Sequence, residues 1–563
     1  MLREINICAY AHVGVAGTPG KNTKDRSRCA RYRKLQLIAS AKLMALRLRQ
    51  AQQALAGVDG QIRKRIDKSQ HVASIGGAKF ASGMFIKRKK GKKIVKRIIQ
   101  AVAMMASCFL FAGSAPAAQD HSNLINGPFK TGPEVTNACL QCHEQQGKDF
   151  MKTQHWTWTV NQEVPGKGKV DLGKKNAVNN YCIALPSNNP RCTSCHAGYG
   201  WKDNDFDFSK SENIDCLICH DTTGSYKKLP AASGHAAYED TEFPPKSGKI
   251  WKAVDLEKIA KSVGPTSRAT CGACHFYGGG GDHIKHGDLD SSMGAPKRTI
   301  DVHMATDGAN MSCSACHKTE KHVIPGKALS VSPMGGGTTL GCADCHAGTP
   351  HKKNPTLNKH AEKVACQTCH VPIFSRALPT KMWWDWSTAG KDGPVAKDQY
   401  GLPVYDKMKG DFKWEKDVKP TYMWFNGSGD RYLLGDKMDP AKVTHLSSPR
   451  GDRNDKAAKI TPFKVMQGKQ PYDSVNNVFA VPQLWGGYWK HWDWNKAIAD
   501  GMKAAGQEYS GQYGFAPTDM HWKVNHMVVP KADALKCNDC HAKDGRMDWK
   551  ALGYAGDPRS GKK

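Results

Sequence analysis

Residues 342–370 read CADCHAGTPHKKNPTLNKHAEKVACQTCH. This stretch contains two CxxCH motifs, and two further histidines, His351 and His360, lie between them. Few of its side chains are apolar, so the segment cannot build a core from its own residues. Its fold must therefore depend on what its cysteines and histidines bind.

The same pentapeptide pattern occurs eight times in the chain. The positions are Cys139, Cys142, His143; Cys192, Cys195, His196; Cys216, Cys219, His220; Cys271, Cys274, His275; Cys313, Cys316, His317; Cys342, Cys345, His346; Cys366, Cys369, His370; and Cys537, Cys540, His541. A single CxxC is ambiguous between zinc binding, thiol redox chemistry and haem attachment. Zinc sites have no obligatory histidine after the pair, whereas haem attachment uses both thiols for one porphyrin and the histidine for its iron. The sequence therefore predicts eight covalently bound haem c groups.

Seven of the eight motifs lie within residues 139–370, a spacing that leaves little room for a side-chain core. We therefore expect a seven-haem domain over residues 118–370, in which short helices and loops surround the porphyrins. The eighth motif and the C-terminus occupy residues 537–563. The predicted fold class is mainly α with much irregular structure, a multihaem cytochrome c with a haem-packed core and few strands.

Residues 371–536 lack any CxxCH motif but contain ten of the fifteen tryptophans. We interpret this region as a haem-free, Trp-rich wrapping segment that packs aromatic rings against haem faces. A lid over a substrate site is the alternative.

The N-terminal region has the features of an export signal. A basic run, KRKKGKKIVKR (87–97), precedes the apolar run IIQAVAMMASCFLFAG (98–113), and small residues follow up to Ala117. The apolar run is too short for a confident membrane span. We expect a signal peptide at 84–117, an upstream extension at 1–83 that is absent from the mature protein, and a periplasmic location without a stable membrane span. The start codon, Met1 or Met84, stays open.

The net charge of +31 is concentrated in this N-terminal region. Residues 1–117 hold 24 Lys and Arg against 4 Asp and Glu, and the remainder holds 58 against 47. Haem propionates would offset most of the remaining excess. A basic field of the kind that binds nucleic acid is therefore not expected in the mature protein.

Thirteen histidines beyond the N-terminal region lie outside the motifs and are available as second iron ligands. Those close to a motif along the chain are the best candidates, and His121 is expected on the surface. The predicted second ligands are His155, His235, His286, His303, His322, His351, His360, His445 and His526.

Two segments, NYCIALPSNNPRCTSCH (180–196) and FYGGGGDHIKHGD (276–288), accompany the eight motifs and the Trp-rich gap. With them, about residues 120–555 of the chain resemble the octahaem tetrathionate reductase family. The resemblance implies seven haems with two histidine ligands each. It also implies that the haem of the second motif, at His196, takes a lysine amine as its second ligand. Lys285 is the best match for that lysine, and Asp282 and Cys182 should lie in the same pocket.

A lysine ligand has a physical cost, because the amine binds iron only when it is deprotonated. Free lysine has a pKa near 10.4, so a neutral amine at pH 7 costs roughly 4–5 kcal/mol. Such a ligand is more easily displaced than an imidazole, and its ammonium form would attract an anion. The alternative is an exposed loop lysine, and whether His283 intrudes on this site stays open.

Cys182 is an unpaired cysteine in a chain predicted to enter an oxidising compartment. It is either a buried apolar residue or a thiol that exchanges with a sulfur–sulfur substrate.

The leading functional hypothesis is a reductase that converts tetrathionate to thiosulfate, with Lys285, Asp282, Cys182 and His196 at the catalytic haem. Its partners would be a small anionic sulfur substrate and an electron donor, either a cytochrome or a quinol-linked protein. Two alternatives stay open: an oxidoreductase acting on nitrite, hydroxylamine or hydrazine, and an electron carrier without catalysis.

Overall fold

The computed structural model describes residues 120–164, 167–326 and 340–561. These residues belong to one compact unit, Pro116–Lys563. The predicted upstream extension and signal peptide lie outside the described residues.

Each CxxCH motif lies on a helical turn. In the described residues the α-helices are α1 (Gly132–Phe150), α2 (Gln154–Thr157), α3 (Asn189–Cys192), α4 (Leu217–His220), α5 (Leu256–Lys261), α6 (Arg268–His275), α7 (Cys313–Cys316), α8 (Pro355–Lys363), α9 (Cys366–His370), α10 (Trp489–His491), α11 (Trp494–Ala504) and α12 (Cys537–His541). The second and sixth motifs use 3₁₀ turns, Thr193–Cys195 and Cys342–Asp344. Because residues i and i+3 share a helix face, each turn presents its two thiols side by side.

The Trp-rich region forms most of the strands. In the described residues the strands are β1 (Val160–Val164), β2 (Gly168–Leu172), β3 (Thr241–Glu242), β4 (Ile250–Trp251), β5 (Thr380–Asp385), β6 (Tyr405–Asp406), β7 (Gly410–Glu415), β8 (Thr421–Phe425), β9 (Gly429–Arg431), β10 (Thr444–Pro449), β11 (Lys459–Asp473), β12 (Val478–Phe479) and β13 (Tyr513–Lys523). Nine of them form one mixed sheet with the path β6-β7-β5-β11-β13-β10-β9, and β8 and β12 also pair with β11.

This sheet contradicts the expectation of few strands. The long strand β11 pairs antiparallel with β13 from Phe463–Lys523 to Asp473–Tyr513, and parallel with β5. Aromatic and β-branched residues, which favour strands, supply its interior. Trp384 and Trp386 stack at a centroid distance of 4.9 Å and are both buried. A region without haem motifs has built a side-chain core of its own.

The same core reaches the motif-bearing part of the chain. Tyr181 and Ile284 belong to the buried cluster that includes Trp522 of β13. The Asn180 side chain donates to Met466 O on β11 (2.7 Å). The sheet therefore positions the chain around residue 182 and the glycine loop, 278–281, next to each other.

Candidate active site

Six motif histidines face a second histidine. The ring-centroid distances are 6.1 Å for His143–His121, 6.4 Å for His220–His322, 6.2 Å for His275–His155, 6.1 Å for His346–His303, 6.2 Å for His370–His351 and 6.2 Å for His541–His360.

These spacings fit one iron between two imidazoles. An imidazole nitrogen lies about 2 Å from a metal that it coordinates, and the ring centroid lies about 1 Å behind that nitrogen. Two imidazoles on opposite sides of one ion therefore have centroids about 6 Å apart. The two thiols that precede each motif histidine complete the set of groups that a haem c requires.

Five of the nine predicted second ligands take part in these pairs, namely His155, His303, His322, His351 and His360. The sixth partner is His121, which the sequence placed on the surface. It is half-buried and its ring faces His143. The sequence did not indicate this ligand role, because His121 lies 22 residues before His143, the histidine that it faces.

The other four predicted ligands make different contacts. His235 Nδ1 lies 2.9 Å from Tyr238 Oη, the His286 ring lies 5.2 Å from the Trp522 ring, His445 Nδ1 lies 2.7 Å from Asp519 Oδ1, and His526 Nδ1 lies 3.2 Å from Asp288 Oδ2.

The fifth motif has His526 as its neighbour. Burial lowers the pKa of His317, and the charge of His526 lowers it further. His317 Nδ1 contacts Pro325 O at 2.7 Å, which fixes the ring. His526 as the second ligand for this motif stays a prediction, supported by its electrostatic interaction with His317.

The second motif differs from the six paired ones. The ring of His196 is fully buried, and its ring neighbours are three tryptophans and two phenylalanines: Trp156, Trp158, Trp201, Phe206 and Phe208. Its Nε2 lies 2.6 Å from Trp156 O. Its Nδ1 has no hydrogen-bond partner among the described residues, which is costly in a buried site unless another group satisfies it.

Lys285 interacts electrostatically with this motif, at Cys195. Its Nζ lies 5.1 Å from the centre of the Trp522 ring. Burial lowers the pKa of Lys285 to about 7, and the charge of Lys174 contributes in the same direction. Neither Trp522 nor Lys174 was predicted from the sequence, because nothing local to either residue distinguishes it.

The glycine loop brings the backbone against both Lys285 and Cys182. Gly279 and Gly280 have φ values of +83° and +91°, a left-handed conformation that favours glycine. A Cβ at Gly278 would lie 3.1 Å from Lys285 Cδ, and one at Gly280 would lie 3.5 Å from Cys182 Sγ. The loop backbone therefore approaches the Lys285 side chain at Gly278 and the Cys182 thiol at Gly280.

Cys182 is held by its backbone and surrounded by cations. Its N–H donates to Asn179 Oδ1 (2.7 Å). Burial raises the pKa of its thiol, which the positive charges of Lys409 and Lys174 oppose. The net effect is a partly buried thiol whose pKa is raised by burial.

Asp282 and His283 directly follow the glycine loop in the chain and contact other residues than Lys285 and Cys182 do. Asp282 Oδ1 accepts from the backbone N–H of Ser291 (3.0 Å). The His283 ring lies 5.2 Å from the ring of Trp414. Asp282 is therefore tied to the chain at Ser291, and His283 packs against Trp414 of β7.

Cysteines of different motifs contact one another. The thiol contacts are Cys139 with Cys216, Cys195 with Cys274, Cys271 with Cys313, and Cys342 with Cys366. They join the first motif to the third, the second to the fourth, the fourth to the fifth, and the sixth to the seventh.

Two family models match the chain, "Cytochrome c bacterial" over residues 381–544 and "Cytochrome c554 and c-prime" over residues 138–221. The crystal structure of octaheme cytochrome c from Shewanella oneidensis is 53% identical, with a TM-score of 0.72. The match covers 79% of this chain and 98% of that chain. This chain belongs to the octahaem c-type cytochromes.

An uncharacterized protein from Archaeoglobus fulgidus is 27% identical to this octahaem cytochrome over 240 residues, which are 36% of this chain and 79% of that protein. Membership of the family agrees with covalent haem c at the CxxCH motifs. In the part of the chain that the structure describes, no helix has the length and apolar character needed to cross a membrane.

Proposed function

We propose that this octahaem cytochrome carries eight haem c groups and is a periplasmic reductase that converts tetrathionate to thiosulfate at the haem of the second motif. The observation that carries the proposal is the pocket beside this motif. In the described part of the chain, the ring neighbours of His196 are tryptophans and phenylalanines and include no histidine. Lys285 interacts electrostatically with Cys195 of this motif, and Lys285 and Cys182 both contact the glycine loop. When bound, haem supplies an iron that exchanges single electrons and accepts an axial ligand.

Lys285 has two roles in this proposal. As a neutral amine it is the second ligand at the haem of the second motif, and as an ammonium ion it attracts a dianionic substrate. Burial of the amine beside the Trp522 ring supports the first role, because it favours the neutral form. Lys174 supports the second role, because its positive charge acts on the Lys285 amine and a second cation nearby favours the approach of an anion.

Tetrathionate reduction breaks one sulfur–sulfur bond. The dianion takes up two electrons, its central bond is cleaved, and two thiosulfate dianions leave, with no net change in protons. An external cytochrome or quinol-linked donor supplies the two electrons. In this proposal the Cys182 thiolate attacks one sulfur of that bond, which releases one thiosulfate and leaves the other attached to Cys182 through a sulfur–sulfur bond. The two donor electrons then cleave that bond, which releases the second thiosulfate and restores the thiolate. The charges of Lys409 and Lys174, which act to lower the pKa of Cys182, would favour the thiolate.

Turnover by the purified holoprotein tests the proposal. With reduced viologen as donor, tetrathionate should be consumed with two thiosulfates formed, and Lys285→Ala should lower kcat by about a hundredfold. Lys297→Ala, at an exposed lysine of the same region, is the matched control and should match the wild type.

Other outcomes identify the alternatives. Turnover of nitrite, hydroxylamine or hydrazine without tetrathionate turnover would overturn the sulfur assignment. No turnover of any substrate, with every haem showing two histidine ligands, would indicate an electron carrier.

A further inference from the structure

Four consecutive backbone carbonyls, those of residues 283–286, point at two side chains of the central sheet. Thr380 Oγ1 donates to His283 O (2.7 Å) and lies 3.3 Å from His286 O. Lys464 Nζ donates to Ile284 O (2.8 Å) and lies 3.2 Å from Lys285 O.

Lys464 and Thr380 also contact each other, with Nζ 2.7 Å from Oγ1. Both side chains are buried, and Lys464 is 1% exposed. A polar group of this kind is stable in a core only when its hydrogen bonds are satisfied. Here the satisfying groups are the carbonyls of the segment that carries Lys285.

The two side chains come from adjacent, rigid strands. Thr380 begins β5 and Lys464 lies on β11, and these strands pair in parallel at the centre of the sheet. The next carbonyl, Gly287 O, accepts from Ser375 N (2.6 Å). Side chains of β5 and β11 thus hold the backbone of this segment, and the Lys285 amine lies 5.1 Å from the ring of Trp522 on the neighbouring strand β13.

We propose that Lys464 and Thr380 are positioning residues, a backbone clamp that sets where the Lys285 amine stands beside the second motif. The clamp rests on the proposed function, since it acts only through Lys285. Without these two side chains, residues 283–286 lose their hydrogen bonds to β5 and β11, while the flexible glycine loop before them is unchanged. The Lys285 amine then spends a smaller fraction of the time in its position beside the second motif.

Thr380→Val tests the clamp, because valine has nearly the same shape but no hydroxyl. On the holoprotein, magnetic resonance should show the signal of the non-bis-histidine haem weakened in Thr380→Val, with the bis-histidine signals intact. The kcat for tetrathionate should fall about tenfold. Thr380→Ser restores the hydroxyl and should return both readouts to within about twofold of the wild type.

Thr461→Val is the matched control. Thr461 is buried on β11 like Lys464, but its hydroxyl bonds to Lys459 O instead of the loop. Loss of the signal in this control as well as in Thr380→Val would indicate general destabilisation and overturn the clamp.

Lys285→Ala separates the clamp from the proposed function. If this variant loses one haem signal and Thr380→Val keeps it, the clamp is wrong and the proposed function stands. If Lys285→Ala leaves every signal unchanged, the lysine is not a ligand and both proposals fail.

Discussion

A histidine that follows a motif along the chain does not face that motif's own histidine. His322 lies five residues after His317 but faces His220, and His351 lies five residues after His346 but faces His370. In both cases the facing histidine belongs to a different motif. A haem held by such a pair would therefore join two segments of the chain.

His121 is the sharpest single-residue test of this pairing. We predict that His121→Ala removes one bis-histidine haem signal and creates a high-spin haem that binds added imidazole, because His143 loses the ring that it faces at 6.1 Å. His445→Ala should leave the haem signals intact, because His445 contacts Asp519. Electron paramagnetic resonance of both variants decides the matter, and unchanged signals in His121→Ala would contradict the pairing.

Cys182 is the second residue to test. We predict that Cys182→Ser lowers tetrathionate turnover about tenfold or more, because serine is a far weaker nucleophile toward a sulfur–sulfur bond. Serine is nearly isosteric, so the haem spectrum and the thermal stability should match the wild type. Unchanged steady-state kinetics would mean that the thiol only fills space beside Gly280.

At the scale of secondary-structure elements, the sequence predicted the helical turns but not the sheet. Each CxxCH turn follows from a local rule, because the two thiols must share a face. The sheet depends on pairings between distant segments, such as Gln467 with Trp383 and Asp519. The expectation of few strands came from the density of haem motifs before residue 370. Residues 371–536 contain no motif, so that reason does not apply to them.

The sequence likewise identified some residues of the candidate site and not others. Lys285 and Cys182 were identified through segment resemblance, and the structure places both against the glycine loop. Lys464 and Thr380 were not identified. A lysine and a threonine on strands have no local pattern that distinguishes a buried, carbonyl-binding role from an exposed one.

The tryptophan core of the sheet makes a stability prediction. Trp384 is buried, stacks on Trp386 and donates through Nε1 to Lys409 O (2.7 Å). We expect Trp384→Ala to lower the free energy of unfolding by about 3–5 kcal/mol, because it removes a large buried ring. Trp492→Ala, at a tryptophan that is 37% exposed, should cost about 1 kcal/mol or less. Denaturant unfolding of the holoproteins measures both values, and equal costs would contradict the sheet core.

At the scale of the whole molecule, two kinds of core support the fold. The first kind is made of side chains, with one cluster on the sheet and another around Val135, Leu217 and Ile259. The second kind is made of haem groups. In the described parts of residues 306–367, by contrast, none of the side chains is buried by the rest of the protein. This segment carries the fifth and sixth motifs, so its order must depend on the haems attached there.

This dependence predicts which segment unfolds locally when one haem attachment site is lost. We expect the double variant Cys342→Ser/Cys345→Ser to be cleaved by protease within residues 306–367 at least about tenfold faster than the wild type, because its open form is more populated. Thermal unfolding of the sheet, followed by tryptophan fluorescence, should change little.

The same double change at the third motif, Cys216→Ser/Cys219→Ser, is the matched comparison. Leu217 and Ile218 of that motif are buried in a side-chain cluster, so local cleavage there should rise less. Cleavage sites mapped by mass spectrometry distinguish the two cases. Equal protection of both motifs after loss of their thiols would mean that side-chain packing alone orders the segment, and that haem attachment adds no local stability.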